Sequence, residues 1–273
     1  MAQKNKLAKF ADMATYPNCL QYTFEQLQET GFPLKGNWHK EYFHNDHPIV
    51  LELGCGKGEY TVGLARRYPE KNFIGFDIKG ARMWTGATAA LDEGLQNVAF
   101  VRTHIELIEY FFAPGEVSEI WITFCDPQMK KVNKRLTCTL FMQRYSHIMV
   151  PDGLVHLKCD SNFLYTYTEA MAAQNHLPVL ARNIDLHNAS ADSSLVTGGI
   201  DADTTAALLI DWPALREIRT AYEQQWIARG KQIRYLLLQL TPPAQWQEPD
   251  VEIPLDDYRS YGRDKRSNLE MHV

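Results

Sequence analysis

Seven short apolar segments alternate with amphipathic stretches along most of the chain. The apolar segments are 48–54, 72–78, 97–102, 119–124, 153–158, 178–186 and 232–240. Stretches with helical periodicity lie between them, at 59–68, 80–94, 134–149, 162–175 and 214–229. Short apolar runs are typical of buried strands, and their regular alternation with helices is typical of α/β proteins. The pattern therefore predicts a doubly wound, mostly parallel sheet of seven strands with helices on both faces.

Three segments depart from this alternation and suggest the domain boundaries. Residues 1–47 are polar with scattered aromatic residues, and we expect an irregular N-terminal arm there. Residues 189–213 are small, polar and acidic, which indicates a loop inserted into a single domain over 48–240. Residues 241–273 begin with Thr-Pro-Pro and end in a charged stretch, so we expect a frayed polar tail.

Composition narrows the class of protein. Of the 273 residues 45% are hydrophobic and 22% are charged, which excludes disorder throughout the chain. No apolar run approaches the ~18 residues of a membrane span, and the N-terminus lacks the apolar core of a signal peptide. The five cysteines form neither a C-x-x-C pair nor a disulfide framework, so we expect a cytoplasmic protein. A net charge of −5 argues against a general nucleic-acid coat but permits a locally basic face.

The sequence LELGCGKGEY carries the strongest local signal, because three glycines follow the first predicted strand. These are Gly54, Gly56 and Gly58. Glycine lets the backbone turn tightly and approach a ligand closely. A dinucleotide-binding loop of the form G-x-G-x-x-G would require glycine where this chain has Glu59. The spacing therefore argues against a dinucleotide phosphate site.

Two acidic residues accompany this loop. Glu52 lies two residues before Gly54, and Asp77 ends the second predicted strand, where a carboxylate can accept both ribose hydroxyls of a nucleoside. Carboxylates beside a glycine loop suit a nucleoside with a cationic centre and no phosphate, and S-adenosylmethionine is such a ligand. The alternative interpretation is a glycine turn used for close packing, with solvated carboxylates at the strand ends. The register of Asp77 favours the ligand site.

A basic run follows the fourth predicted strand. Asp126 ends that strand, and it should face the same crevice as Gly54 and Asp77, because ligands of doubly wound sheets bind at the carboxyl ends of strands. No acidic residue occurs between Asp126 and Asp152, whereas the interval holds the basic residues Lys130, Lys131, Lys134, Arg135 and Arg144. This composition favours a polyanionic substrate, and a solvated helix face with counter-charges elsewhere is the alternative.

One group of possible metal ligands precedes the first predicted strand. It consists of His39, His44, Asp46 and His47. Structural zinc sites use four ligands at characteristic spacings, and no cysteine or second ligand set accompanies this group. We therefore expect no bound metal.

The chain resembles the bacterial tRNA (guanine-N(7)-)-methyltransferases, which use S-adenosylmethionine. The segments that carry the resemblance are, in chain order, LELGCGKGEY, FIGFDIKG, NVAFVRTHIE, ITFCDPQMKKVNKRLT, HLKCDSNFLYTY, IDLHN and RTAYEQQW. They span about residues 36–240 with compatible spacings. The glycine loop alone indicates only a methyltransferase, whereas the D-P-x-x-K-K, K-x-D and T-x-Y-E blocks together are specific to this family.

The resemblance implies a Rossmann-like methyltransferase domain that methylates ring nitrogen 7 of a guanine in the variable loop of tRNA. The residues it implies for the cofactor S-adenosylmethionine are Glu52, Gly54, Gly56, Asp77, His104 and Asp126. Of these, Asp126 is also the residue implied for the catalytic crevice. The residues it implies for the substrate are Lys130, Asp160, Thr220 and Glu223.

The chain departs from the family pattern at three places. Gln128 and Met129 stand where the family usually has Trp-Pro, and His104 stands where an acidic or amide residue usually faces the adenine. The connection before Thr220 is also longer than usual. These departures leave two alternatives open: a methyltransferase for another RNA or small-molecule acceptor, and a non-catalytic RNA-binding protein on a methyltransferase scaffold.

Overall fold

The computed structural model describes residues 5–188 and 211–257. The strands described are β1 (Cys19–Gln21), β2 (Ile49–Leu53), β3 (Asn72–Asp77), β4 (Val98–Arg102), β5 (Val117–Thr123), β6 (Met149–Cys159), β7 (Val179–Asn183) and β8 (Arg234–Gln239). They form one sheet in the order β1-β4-β3-β2-β5-β6-β8-β7. Strands β1 to β6 are parallel, and β8 is antiparallel to both of its neighbours, β6 and β7. The predicted doubly wound, mostly parallel sheet is confirmed.

Helices cover both faces of this sheet. The α-helices described are Lys6–Thr15, Phe24–Thr30, Glu59–Arg67, Gly80–Asp92, Ile108–Phe111, Thr139–Ile148, Asn162–Gln174, Trp212–Glu217 and Ala221–Ile227, with a π-helix at Trp38–Phe43 and 3-10 turns at Ile105–Leu107 and Val132–Lys134. Side chains alternate along β2, so that Leu51 and Leu53 pack in one apolar core and Val50 packs in the other. The two cores lie on opposite faces of the sheet. No helix of the described residues is long and apolar enough to cross a membrane.

The N-terminal segment 1–47 is not an irregular arm in its described part. Thr23 accepts a hydrogen bond from the backbone of Gln26 and the Gln26 side chain accepts one in return, which caps the helix Phe24–Thr30. Strand β1 pairs with β4 and adds an eighth strand to the sheet, so the prediction of seven was one too few. Trp38 is fully buried and donates from its indole N–H to the carbonyl oxygen of Phe111 at 2.9 Å.

The C-terminal segment also departs from its prediction. Residues 241–257 lie against the domain, and the carboxylate of Asp256 is buried there, so this part of the predicted frayed tail is ordered by contacts. Residues 189–210 of the predicted insertion and residues 258–273 lie outside the described residues. Asp211 caps the helix Trp212–Glu217 by accepting from the backbone N–H of Ala214 at 2.8 Å.

Candidate active site

A cavity of about 800 Å³ opens at the carboxyl ends of strands β2 to β5. It lies at the point where the strand order reverses on either side of β2, which is where doubly wound sheets bind their ligands. Its wall includes six of the residues proposed from the sequence: Gly54, Gly56, Asp77, His104, Asp126 and Thr220. The expectation that Asp126 faces the same crevice as Gly54 and Asp77 is confirmed.

The glycines after β2 serve two different purposes. Gly58 has a φ of +69° and begins the helix Glu59–Arg67, and a Cβ atom there would lie 2.6 Å from the ring of Phe100. Gly58 is therefore required for close packing. Gly54 also has a positive φ, +76°, but no atom lies within 4 Å of its ideal Cβ position. Gly54 thus leaves open space at the cavity wall, as the ligand-binding interpretation of the loop requires, and that interpretation stays a prediction.

Asp77 ties the glycine loop to the next helix. Its Oδ2 atom accepts a hydrogen bond from the backbone N–H of Gly56 at 2.9 Å, and Oδ1 accepts one from Lys79 at 2.8 Å. Each carboxylate oxygen has two acceptor sites, so both oxygens can still accept a ligand hydroxyl. Asp77 therefore holds the shape of the glycine loop and, at the same time, presents carboxylate oxygens to the cavity as hydrogen-bond acceptors.

Glu52 lies beneath the glycine loop and not on the cavity wall. Its side chain is buried and accepts from the backbone N–H of Thr61 at 2.8 Å, from the Thr61 hydroxyl, and from the Thr123 hydroxyl at 2.6 Å. Burial raises the pKa of Glu52 to about 7, although these hydrogen bonds oppose the rise. Glu52 therefore lies outside the cavity lining, and its contact with the cofactor stays a prediction.

The loop that carries Asp126 is held from below. The Asp126 Oδ1 atom accepts from the backbone N–H of Gln128 at 3.0 Å, and Gln128 has a left-handed φ of +47°. Arg135 is buried, and its guanidinium donates to the carbonyl oxygens of Pro127 at 3.1 Å and Gln128 at 3.2 Å. The guanidinium carbon also lies 3.8 Å from the centre of the Tyr167 ring. Arg135 thus supports the loop and does not belong to an exposed basic patch.

The other basic residues of the run have separate environments. Lys134 pairs with Glu106 at 2.7 Å on the cavity wall. Arg144 lies 3.8 Å from a carboxylate oxygen of Glu109 on the adjacent helix. Lys130 and Lys131 are exposed on the loop after Asp126. Of the five basic residues predicted to form a basic face, Arg135 is buried, and Lys134 and Arg144 lie beside carboxylates. Lys130 and Lys131 are therefore the candidates for contacts with a polyanionic substrate.

The four residues proposed for the substrate occupy different depths. Thr220 lines the cavity and accepts from the backbone N–H of Glu223 at 3.1 Å, which caps the helix Ala221–Ile227. Lys130 is exposed beside the cavity loop, whereas Asp160 is only 2% exposed and Glu223 is 0% exposed. Neither of these two carboxylates lies on the cavity wall. Asp160 and Glu223 therefore lie below the surface of the cavity, and their contacts with the substrate stay predictions.

Two further residues of the cavity wall are not among the individual site residues proposed from the sequence. Tyr222 is 43% exposed on the helix Ala221–Ile227, and the guanidinium carbon of Arg82 lies 6.0 Å from the centre of its ring. Both side chains line the cavity. Tyr222 belongs to the T-x-Y-E block and could have been noticed there, whereas Arg82 lies in a helix without a recognisable motif.

His104 is exposed on the cavity wall at the end of β4, before the 3-10 turn Ile105–Leu107. Its contact with the cofactor stays a prediction. Within residues 5–188 and 211–257, no three His, Cys, Asp or Glu side chains are arranged to hold a metal ion. His39 instead contacts the carbonyl oxygen of His47 through Nε2 at 2.9 Å.

Comparison with known proteins adds independent findings. A protein-family profile described as "Putative methyltransferase" matches residues 46–236. The chain is 54% identical over 267 residues to a Bacteroides thetaiotaomicron protein named "tRNA (guanine-N(7)-)-methyltransferase", with 98% of each chain covered. It is also 54% identical to a Porphyromonas gingivalis protein of the same name, with 93% of this chain and 98% of the relative covered.

Solved structures support the fold. A chain described as "Structure of an Antibiotic Related Methyltransferase" superposes with a TM-score of 0.52 and 13% sequence identity. The superposition covers 76% of this chain and 94% of the other. At this identity the likeness concerns the fold alone, and it agrees with the Rossmann-like methyltransferase sheet.

Proposed function

The chain belongs to the tRNA (guanine-N(7)-)-methyltransferase family, and we propose that it methylates ring nitrogen 7 of a guanine in tRNA with S-adenosylmethionine as the methyl donor. The observation that carries this proposal is the meeting of three elements at one cavity. These are the open glycine loop at Gly54, the carboxylate of Asp77 and the exposed carboxylate of Asp126. The family resemblance extends the proposal to a guanine of the variable loop.

The cavity fits the proposed cofactor. The free space at the Cβ position of Gly54 lets a ligand approach the backbone, and Asp77 retains acceptor sites for ribose hydroxyls. Glu52 places a carboxylate beneath the loop, which favours a cationic ligand when it is ionised. S-adenosylmethionine, when bound, supplies an electrophilic methyl group on a positively charged sulfur.

The reaction needs alignment more than proton transfer. Nitrogen 7 of guanine carries an in-plane lone pair and no proton, so methylation requires no general base. Positioning of two reactants can contribute ~7–11 kcal/mol to lowering a barrier. We propose that Asp126 orients the guanine through its N–H edge and offsets the positive charge that develops on the purine. Its exposed position at the cavity wall suits both tasks.

Lys130 and Lys131 are suited to hold the RNA backbone. Both are exposed on the loop that follows Asp126, so a phosphate held there would lie beside the cavity. Phosphate contacts position a nucleic acid and carry little sequence information. We propose that these two lysines contribute affinity for tRNA, while groups within the cavity select the base.

The decisive experiment incubates the protein with radiolabelled S-adenosylmethionine and unmodified tRNA and then analyses the nucleosides. The expected product is 7-methylguanosine, at the variable-loop position. Label in another nucleoside or in a small molecule would favour a methyltransferase with a different acceptor. Binding of tRNA without affinity for the cofactor would favour the non-catalytic alternative.

A further inference from the structure

The segment from residue 241 to residue 257, here called the strap, follows β8 and lies beyond residue 236, where the match to the family profile ends. It contains five acidic residues and no basic ones. The strap has almost no regular secondary structure, so side-chain contacts must hold it. It makes such contacts with the helices Thr139–Ile148 and Asn162–Gln174 and with the loops beside the cavity.

The first contact anchors the strap to the end of the helix Asn162–Gln174. The Nδ2 atom of Asn175 donates to the carbonyl oxygen of Gln247 at 2.8 Å, and the backbone N–H of Gln247 donates to Asn175 Oδ1 at 2.8 Å. Asn175 is buried, so these two reciprocal hydrogen bonds are shielded from water. The strap is thereby held in one register against the domain.

The second contact connects the strap to the loop of Asp126 through two intermediates. The Tyr167 hydroxyl donates to Glu248, and burial raises the pKa of Tyr167, so the phenol stays protonated and remains a donor. The ring of Tyr167 packs against the guanidinium of Arg135, which in turn holds the carbonyl oxygen of Pro127. Glu248 therefore fixes the position of the Tyr167 ring. That ring packs against Arg135, and Arg135 supports the loop of Asp126.

The third contact reaches two loops at once. Asp256 Oδ1 accepts from the backbone N–H of Phe163 at 3.1 Å, and Oδ2 accepts from the hydroxyl of Ser161, the residue after Asp160. The backbone N–H of Asp256 lies 3.2 Å from the Met129 sulfur, on the loop of Asp126. Because Asp256 is only 6% exposed, its carboxylate depends on these partners.

We propose that the strap is a positioning element for methyl transfer, in which Asp256 and Glu248 fix the two loops that carry Asp126 and Asp160. This inference rests on the proposed function. The strap also contacts the loop of Asp126 from outside through the Met129 sulfur. Reactive geometry tolerates errors of only ~0.5 Å, so a loosened loop should slow the reaction more than it weakens binding.

The first test compares Asp256→Ala with the wild-type full-length protein. We expect the single-turnover methylation rate to fall roughly tenfold, while the Kd values for cofactor and tRNA stay within about twofold. Hydrogen–deuterium exchange should become faster in peptides that cover residues 126–131 and 160–163. Glu252→Gln, an exposed carboxylate of the same strap, is the matched control and should leave both measurements unchanged.

A second pair of variants keeps the test valid if Asp256→Ala folds poorly. Tyr167→Phe removes only the hydroxyl that donates to Glu248, whereas Glu248→Gln changes that bond together with the two that Glu248 accepts from Thr139. Each variant should slow single-turnover methylation several-fold. The double variant should be no slower than Glu248→Gln alone, because Tyr167→Phe acts only through the contact with Glu248. If the double variant is slowed by the product of the two single effects, the two residues do not act through a shared contact.

Two results would overturn the proposal. One is a wild-type rate and wild-type exchange in folded Asp256→Ala. The other is a loss of rate that is matched by an equal loss of cofactor affinity, which would indicate general destabilisation. If the wild-type protein forms no 7-methylguanosine, the proposed function fails, and the exchange measurement still decides whether the strap orders the two loops.

Discussion

The ammonium of Lys158 lies 2.8 Å from a carboxylate oxygen of Glu223, and neither side chain is exposed. Lys158 also donates to the carbonyl oxygens of Leu215 at 2.5 Å and Ile218 at 3.2 Å. Burial lowers the pKa of Lys158 to about 8, although the charge of Glu223 opposes the shift. The pair joins the end of β6 to the helix Ala221–Ile227, whose first residues form one wall of the cavity. The K-x-D and T-x-Y-E blocks are therefore joined by a buried ion pair.

Replacement of Glu223 should destabilise the fold severely. Glu223→Gln leaves the buried ammonium of Lys158 without its counter-charge, and removal of one partner of a buried pair costs about 3–5 kcal/mol. The free energy of unfolding from urea titration at pH 7 measures this loss. Glu217→Gln is the control, because Glu217 pairs with Arg67 while 65% exposed and should cost less than about 1 kcal/mol. Equal small losses in both variants would contradict the buried pair.

The part of the site that could be predicted from the sequence depends on local pattern. Gly54, Asp77 and Asp126 each follow a strand, and parallel strands bring their carboxyl ends to one edge, so these residues had to meet. The resemblance to the family added Thr220, which lines the same cavity from a distant segment.

The errors concern contacts between residues far apart in the chain. Asp256 and Ser161 are 95 positions apart, and nothing in the polar composition of residues 241–257 indicates that they pair. A motif gives residue types and spacing but not depth, so neither the basic run nor the T-x-Y-E block indicates that Arg135 and Glu223 are buried. The helices of residues 6–43 are not predicted from the sequence, because each is short and the segment around them is polar with scattered aromatic residues.

Cofactor affinity should depend on pH through Glu52. Burial raises the pKa of Glu52 to about 7, above the ~4.3 of an unfolded chain, so the folded protein gains this negative charge only as pH rises through about 7. A cationic ligand favours the ionised carboxylate. The affinity for S-adenosylmethionine, measured by calorimetry, should therefore fall up to about tenfold from pH 8 to pH 6.

Two controls separate this effect from titration of the ligand itself. Glu52→Gln should bind more weakly at pH 8 and should lose the additional pH dependence, because its amide does not ionise. S-adenosylhomocysteine lacks the sulfonium charge, so its affinity should change less over the same range. An identical pH dependence in Glu52→Gln and in the wild-type protein would exclude Glu52 as its source.

Neutralisation of Lys130 and Lys131 should weaken tRNA binding without affecting the cofactor. Each phosphate contact that is lost should reduce the slope of log affinity against log salt by about one unit. The measurement is tRNA affinity of Lys130→Gln/Lys131→Gln across a salt series. Lys40→Gln is the control, because Lys40 precedes β2, on the approach to the amino end of that strand, and is 81% exposed. An unaltered slope in the double variant would place the RNA on another face.

Asp126→Asn should slow methyl transfer with little effect on binding. The amide keeps an oxygen that can accept from the Gln128 N–H, so the loop should hold its shape, while the negative charge beside the developing purine cation is lost. Removal of one preorganised electrostatic contact costs about 10²–10³ in rate in acyl-transfer enzymes. We expect a loss near the lower end of about 10² here, because no proton moves and the charge spreads over a purine. Single-turnover rates at saturating tRNA and cofactor measure it.

The pH profile of the same reaction distinguishes a positioning carboxylate from a general base. With cofactor saturating, ionisation of Glu52 no longer limits binding, so the single-turnover rate should stay flat from about pH 6 to pH 9. A general base with a raised pKa would instead give a rate that rises through that pKa. If such a rise occurs and disappears in Asp126→Asn, proton abstraction by Asp126 belongs to the reaction. The acceptor would then be an atom that loses a proton on methylation, and nitrogen 7 of guanine would be excluded.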